Sequence, residues 1–493
     1  MKQTGLILAA ALLFTGCSGN NKNNQQNNVL NPEYFSGEIT GEITVSAYDS
    51  FVYKNFLEDA ARAFEALYPG TKVTIETFSA MPEIRTGGQE GNQMVMVERR
   101  DDPQGRADYI SRVNTNLMSG GGADIYAMDV LPLYKLLETG ALENLDAYME
   151  TDPDFHRNEY RENILDAVRY QNGTWFIPMD YSFNYFTYDT TLFPQEAAGS
   201  FGIDKHFTVQ DLMNTGKDFF NGSNKLFNMF NYSRGPRNMF RMILDQNMYS
   251  YLDLENKTAH FSDGTFAAML NLVKQYAELG LIPQYAASRQ DPGLGRDPSM
   301  DDPSDRYFFK QYNAVNLFSL FTRSLGIIMR MAEGGMAAGI DSDDEIAGIE
   351  ANAGGAVPFT YSQGYGINSR SNNKLTAWAF LKFLLSKEMQ LSGNMLHINF
   401  PVNNQARKEK AELAFAGFFR NSGGVLNEQQ QRALENYIAA AEAMSNAVNT
   451  FVVQDTSIND MIAQEVRHFF DGSRTAEETA RVLQNKISLY LSE

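Results

Sequence analysis

The sequence predicts an α/β protein made of two lobes that face each other across a cleft. Three observations lead there. First, "GEITVSAYDS" (41–50) alternates as a strand, "YKNFLEDAARAFEALYPG" (53–70) has helical apolar spacing closed by Pro-Gly, and "TKVTIETF" (71–78) alternates again. That strand–helix–strand order is the unit of a parallel sheet. Second, the same style returns in the second half, with a helix over 208–220, a strand at "KLFNMF" (225–230) and helices over 236–248 and 263–279. Third, the chain has 493 residues, too many for one hydrophobic core. Open parallel sheets take ligands outside the carboxyl ends of their strands, so two such lobes make a cleft.

The remaining elements follow in order. Residues 80–108 are polar, glycine-bearing and charged, and read as an insertion or loop. "YISRVNTNLMSGGGADIYAMD" (109–129) is a helix, a glycine stop and a buried strand, and 131–149 is helix and turn. Residues 173–193 form an extended stretch around Pro178. A loop rich in Asp and Pro covers 286–306, followed by "GGMAAGI" (334–340), an extended 354–369, and helices over 374–390 and 476–491.

The amino terminus carries an address. Lys2 is a positive start, Leu6–Phe14 is apolar, and Thr15 and Gly16 are small residues before Cys17, the one cysteine of the chain. This is the pattern of a secretory signal over 1–16, too short to span a bilayer. Leu13-Phe14-Thr15-Gly16-Cys17 resembles the lipobox of bacterial lipoproteins, with Phe14 where leucine is usual. The alternative is an ordinary signal with an incidental cysteine. The lipobox implies lipidation of Cys17, and the polar residues after it read as a flexible tether over 17–35. Without residues 1–16 the balance is 40 basic against 60 acidic residues, which argues against nucleic acid or anionic headgroups as partners. With Cys17 lipidated no disulfide is possible. Beyond the signal, no apolar run approaches spanning length.

Several segments together resemble the extracellular solute-binding proteins of family 1, the class of maltose-binding protein. They are "ARAFEALYPGTKVTI", "LMSGGGADIYAMD", "TGALENLDAYM", "NGTWFIPMDYSFNYFTYDTTLF", "EGGMAAGI", "GYGINSRSNNKLTAWAFLKFLLSKEMQ", "NFPVN" and "GSRTAEETARVLQNKISLYL". Their order and spacing carry the resemblance over nearly the whole chain after the signal. It implies a periplasmic-binding-protein-like fold of type II, with hinge crossings near 178–184, 357–363 and 400–404. Lobe one is then 36–179 plus 364–401, and lobe two 184–357 plus 402–493. It also implies delivery of a solute to an ABC importer by a monomer held at the outer face of the membrane by its lipid alone.

Carried over from the family, strand ends and crossings place Tyr48, Asp49, Asp129, Asp180, Tyr181, Ser182, Asn184, Gln363 and Tyr365 at the ligand. The second lobe would add Ser233, Arg234, Arg237 and Asp341. Tyrosine faces stack on sugar rings, and carboxylates and amides satisfy hydroxyls, so the expected ligand is a carbohydrate, in particular an oligosaccharide. Arg234 and Arg237 keep open an anionic sugar or a peptide.

An enzyme is the rival class. No His-Glu-x-x-His, Gly-x-Ser-x-Gly or phosphate-binding Gly-x-x-x-x-Gly-Lys occurs. His156, His206, His260, His397 and His468 show no metal-ligand spacing. Ser371-Asn-Asn-Lys374 is a four-residue match of the kind chance supplies. The acidic run 297–308 resembles a calcium loop but has Asp302 where glycine belongs and Phe308 where glutamate belongs. The expectation is a binding protein without cofactor or metal, feeding a permease or a membrane sensor.

Overall fold

The structure is a computed structural model that describes residues 30–48, 51–78, 83–87, 94–98, 103–191, 199–220, 227–230, 235–279, 306–314, 320, 344–392, 399–422, 428–452 and 455–492. Its first sheet runs in the order β2 (Thr71–Phe78), β1 (Gly41–Tyr48), β5 (Ile125–Ala127), β16 (Gly364–Ile367), β6 (Ile177–Pro178). β1 pairs in parallel with β2 over its whole length, from Gly41↔Thr71 to Tyr48↔Phe78. Helix α1 (Phe51–Leu67) buries Phe56, Leu57, Ala60, Ala61 and Phe64, the stripe its apolar spacing requires. Each large side chain in that stripe contributes roughly 1.5–3 kcal/mol by burial. The ring of Phe64 meets Phe380 edge-on at 5.2 Å, so a helix more than 300 residues downstream closes the same core.

The glycine stop before β5 has a steric cause. Gly122 has φ +110°, and a Cβ there would lie 2.1 Å from the Tyr126 hydroxyl, which accepts the Ala123 N–H. Asp124 then accepts the Thr44 N–H and the Ser371 hydroxyl, tying β5 to both neighbours in the sheet.

The second sheet has the order β10 (Phe227–Phe230), β13 (Arg306–Ala314), β8 (Phe183–Asp189), β14 (Asp344–Glu350), β9 (His206–Phe207). β13 and β14 both run antiparallel to β8, so the amino end of β8 lies beside the carboxyl ends of β13 and β14. The other strands are the hairpin β3 (Glu83–Gly87) with β4 (Met94–Glu98), the pair β7 (Asp180–Tyr181) with β17 (Phe400–Pro401), the hairpin β11 (Leu252–Asp253) with β12 (Thr258–Ala259), and β15 (Val357–Phe359) with β18 (Val448–Phe451). The remaining helices are α2 (Pro103–Met118), α3 (Leu133–Glu138), α4 (Asp146–Thr151), α5 (Glu162–Ala167), α6 (Val209–Phe220), α7 (Pro236–Tyr251), α8 (Thr265–Glu278), α9 (Lys374–Leu384), α10 (Lys387–Gln390), α11 (Asn404–Ser422), α12 (Glu428–Ala447), α13 (Thr456–Phe470) and α14 (Ala476–Ser492). Among the described residues, no helix is long and apolar enough to cross a membrane.

Two segments link the two sheets, from β6 to β8 and from β14 to β16, and β17 with short bonds braces them. Tyr181 pairs with Phe400 and Asp180 with Pro401 across β7 and β17, and Ser182 bridges Thr360. Gln390, fully buried, donates to the Met179 carbonyl and accepts the Asn403 N–H.

Three sequence expectations need correction. Residues 80–108 are not a plain loop: β3 and β4 pair from Glu83↔Glu98 to Gly87↔Met94, and α2 starts at Pro103. "MVMVE" carries a strand signal that the surrounding glycines and charges outweighed. The helix over 374–390 breaks at Leu385–Ser386, where the Ser386 side chain caps the next helix by accepting from Met389 N. Finally, a boundary at 402 puts α11 and α12 with lobe two, yet their contacts are with first-lobe elements. Arg161 donates to the Ser445 carbonyl, Asn404 to the Tyr160 carbonyl, and Lys387 pairs with Glu409 at 3.1 Å. The Arg161 and Asn404 bonds join residues more than 240 positions apart, which no local pattern reveals.

Candidate functional site

Two cavities lie where the strand ends of the two sheets meet the crossings. The first, about 30 Å³, is lined by Met128, Asp129 and the start of α3 from one side and by Phe451, Val452 and Asp455 from the other. Thr360 and Tyr361 form its floor. The second, about 100 Å³, is lined by Ser182, Asn184, Asn313 and Glu350 at the ends of β8, β13 and β14, and by Arg241 and Asp245 of α7. Thr360 and Val452 border both, so the two cavities adjoin at the crossings.

The polar groups of the second cavity are fixed by one another. The Asn313 amide donates to the Asn184 side-chain carbonyl at 3.0 Å, and Arg241 pairs with Asp245 at 2.6 Å. Burial raises the Asp245 pKa, with Arg241 pulling against it. Glu350 is 3 % exposed and accepts a hydrogen bond from Gln311. Burial pushes its carboxyl up to about 7, so near neutrality it is a donor as well as an acceptor.

In the first cavity, Tyr361 donates to the Met128 carbonyl at 2.9 Å while its ring stacks on Phe451. Asp455 caps α13 by accepting from Ser457 and Ile458 N–H groups and also accepts the Tyr490 hydroxyl at 2.9 Å. Tyr134 is 2 % exposed and borders this cavity, its hydroxyl beside the Tyr490 hydroxyl and the Asp455 carboxylate but without a well-formed hydrogen bond to either. A buried, unsatisfied hydroxyl costs free energy unless something in the cavity meets it. Burial, and next the Asp455 charge, push its pKa up, so it stays neutral.

The residues expected from sequence separate into groups. Asp129 borders the first cavity, and Ser182 and Asn184 the second. Asp180 is fully buried in the hinge, where it accepts from Ser362 N–H and Asn399. Burial raises its pKa to about 6, opposed by those bonds and by Lys410. Tyr181 and Tyr365 do not present stacking faces. Tyr181 is 0 % exposed, stacked on Phe400 at 5.3 Å with its hydroxyl on Ser445, and Tyr365 is buried and donates to the buried Gln363. Hinge strands carry continuous apolar and aromatic faces because they are covered on both sides, so their tyrosines read like ligand platforms in the sequence. Tyr48 is half-buried at the end of β1 against Tyr109, and Arg237 is exposed on the first turn of α7; neither borders the two cavities. Cys17, Asp49, Ser233, Arg234, Asp341 and the acidic run 297–305 lie outside the described residues.

Sequence reasoning missed Tyr134, Asn313, Glu350, Arg241, Asp245 and Tyr361. The i,i+4 spacing of Arg241 and Asp245 was a usable signal. Among the described residues, no cluster of His, Cys, Asp and Glu is arranged to hold a metal.

Two α/β lobes joined by hinge crossings, with polar cavities between the strand ends, define a two-lobed binding protein of the periplasmic type. Residues 59–412 match the family model of the bacterial extracellular solute-binding protein, and the chain belongs to that family. Solved structures of similar fold cover nearly the whole chain. One is an extracellular solute-binding protein family 1 from Alicyclobacillus acidocaldarius (15 % identity, 93 % of this chain and 100 % of that one, TM-score 0.56). A second is the ABC substrate-binding protein Lmo0181 from Listeria monocytogenes in complex with cycloalternan (17 %, 92 % and 99 %, 0.55). A third is the GacH receptor of Streptomyces glaucescens, solved unliganded and with acarbose (14 %, 92 % and 100 %, 0.51). No curated protein matches this chain.

Proposed function

We propose that this protein captures an oligosaccharide between its lobes and delivers it to an ABC importer, held outside the cell membrane by a lipid on Cys17. The observation that carries the ligand class is the make-up of the adjoining cavities. Asn184, Asn313 and Glu350 supply amides and a carboxyl to one cavity, and Asp129 with the rings of Tyr361 and Phe451 lines the other. Such groups hydrogen-bond hydroxyls and cover sugar C–H faces. The cycloalternan and acarbose complexes of similar structures support the same class. The guanidinium of Arg241 is already paired with Asp245, which favours a neutral ligand over an anionic one. We assign the site binding without turnover.

Tyr134→Phe is the discriminating variant. It removes a buried hydroxyl that makes no well-formed hydrogen bond within the protein, so stability should change by less than about 1 kcal/mol. Oligosaccharide affinity should fall roughly three- to tenfold, the loss of one hydrogen bond. Unchanged affinity for every oligosaccharide that the wild type binds would remove Tyr134 and its cavity from the site. For the anchor, labelled palmitate should enter the wild type in cells and not Cys17→Ala; label retained in the variant would refute lipidation at Cys17.

A further inference from the structure

Helix α3 is anchored in one lobe and grips the other. Leu136 and Leu137 pack into the core of the first sheet with Ile125 and Ile367, and Leu142, just past the helix, bridges Asn368. Tyr134 turns the other way, into the core that α7, α8, α13 and α14 form with the second sheet. Three contacts cross between the lobes there. The Tyr134 ring meets Tyr490 of α14 edge-on at 6.4 Å. The Lys135 ammonium lies 3.7 Å from the centre of the same Tyr490 ring. Glu138 pairs at 2.7 Å with Lys257, in the turn of the β11–β12 hairpin. Lys257 has φ +54°, a left-handed conformation that is unfavourable for a lysine. The turn is held by Asn256, whose backbone N–H and side-chain amide both donate to Asp253.

We propose that Lys135 and Glu138 are positioning residues: with Tyr490 and Lys257 they latch α3 onto the second lobe and bias the cleft toward its closed form even without a sugar. The proposal takes that cleft as the capture site of the preceding reading. Tyr134 lines the cavity beside Asp129, whereas Lys135, Glu138, Lys257 and Tyr490 line none of the cavities described between the lobes. Their contacts are made by the protein alone, and a hinge motion that parts the lobes has to break them. The Tyr490 hydroxyl donates to Asp455, which enriches the ring that faces the Lys135 ammonium. The Glu138–Lys257 pair is part-exposed, so it shifts the equilibrium a few-fold rather than locking it. A ligand that binds only the closed form gains apparent affinity in proportion to the closed fraction, so the latch sets affinity without touching the ligand.

Spin labels on the two lobes test the proposal. Met118, at the end of α2, and Leu279, at the end of α8, are exposed, and Met118→Cys with Leu279→Cys in a full chain carrying Cys17→Ala gives two labelling sites. Pulsed electron resonance on the sugar-free protein should show a population at the separation of the closed structure beside a second, open one. Glu138→Lys turns the attraction to Lys257 into repulsion and should lower the ratio of closed to open about threefold or more. Lys135→Gln removes the cation over the ring and should lower it about twofold or more. Exchanging the charges, in Glu138→Lys with Lys257→Glu, should restore most of the ratio lost in Glu138→Lys. Glu138 and Lys257 are exposed and Lys135 is half-buried, so these variants should fold as the wild type does. A wild type without the closed population, an unchanged ratio in Glu138→Lys or Lys135→Gln, or a charge exchange that restores nothing would each overturn the proposal. The measurement needs no sugar, so its failure is distinguishable from a failure of the carbohydrate reading.

Discussion

Glu350→Gln isolates one buried proton at the proposed sugar site. The wild-type carboxyl, at the end of β14, is raised by burial from an ordinary value of 4.5 to about 7. The folded state therefore keeps a proton up to about neutral pH that the unfolded chain gives up from about pH 4.5 upward. Glu350 thus contributes stability that is fully present below about pH 4.5 and is lost as pH rises to about 7. The loss is at most about 1.4 kcal/mol per pH unit, so a few kcal/mol across the window. Asp180, raised to about 6, adds a loss of the same sign, but its window closes about one unit lower. Between about pH 6 and 7 the remaining loss belongs mainly to Glu350 and should be about 1 kcal/mol. Urea unfolding of both proteins at about pH 5, 6 and 7, at fixed ionic strength, measures it. Groups common to the two proteins cancel in the difference. The wild type should lose stability from about pH 6 to 7 by about 1 kcal/mol more than Glu350→Gln does. Parallel pH profiles would refute the reasoning.

Other perturbations have equally direct readouts. Trp378, fully buried, donates to Asp152 at 2.6 Å, and Lys382 lies 2.6 Å from the same carboxylate oxygen. Trp378→Phe should lower the unfolding free energy by about 1.5–3 kcal/mol, the range for a hydrogen bond to a charged group; a change under about 0.5 kcal/mol would show that the bond adds little. Tyr181→Ala should cost about 3–5 kcal/mol by leaving a cavity in the hinge, so weakened binding in that variant should track lost folded protein in urea melts. Asn184→Ala removes the acceptor for Asn313 and should weaken oligosaccharide affinity about three- to tenfold by calorimetry, with little change in salt dependence.

Much of the fold was legible locally. The β1–α1–β2 unit, the glycine stop before β5 and the extended crossing at Pro178 each rest on spacing or on one constrained residue. What escaped depends on distant pairing. β13 sits between β10 and β8, and its Asn313 reaches Asn184 across 129 positions, so neither strand order nor that amide pair could be read along the chain. Likewise α11 and α12 are tied to the first lobe through Arg161, Asn404 and Lys387, contacts with no periodic signature. At the site, strand ends and crossings pointed to Asp129, Ser182 and Asn184. The aromatic residues of the crossings are packed inside the hinge, where Tyr181 and Tyr365 are buried, whereas Tyr134, which borders the cavity, sits in a helix with no distinguishing motif.

Capture of a neutral oligosaccharide without turnover is tested most directly by calorimetry of the full chain against linear and cyclic oligosaccharides, uronides and peptides at two salt concentrations. At least one neutral oligosaccharide should bind one to one, with an affinity that barely changes with salt because little net charge is neutralised. It should be recovered chemically unaltered from the cell. Binding confined to anionic ligands and collapsing at high salt, or recovery of a cleaved sugar, would contradict the assignment.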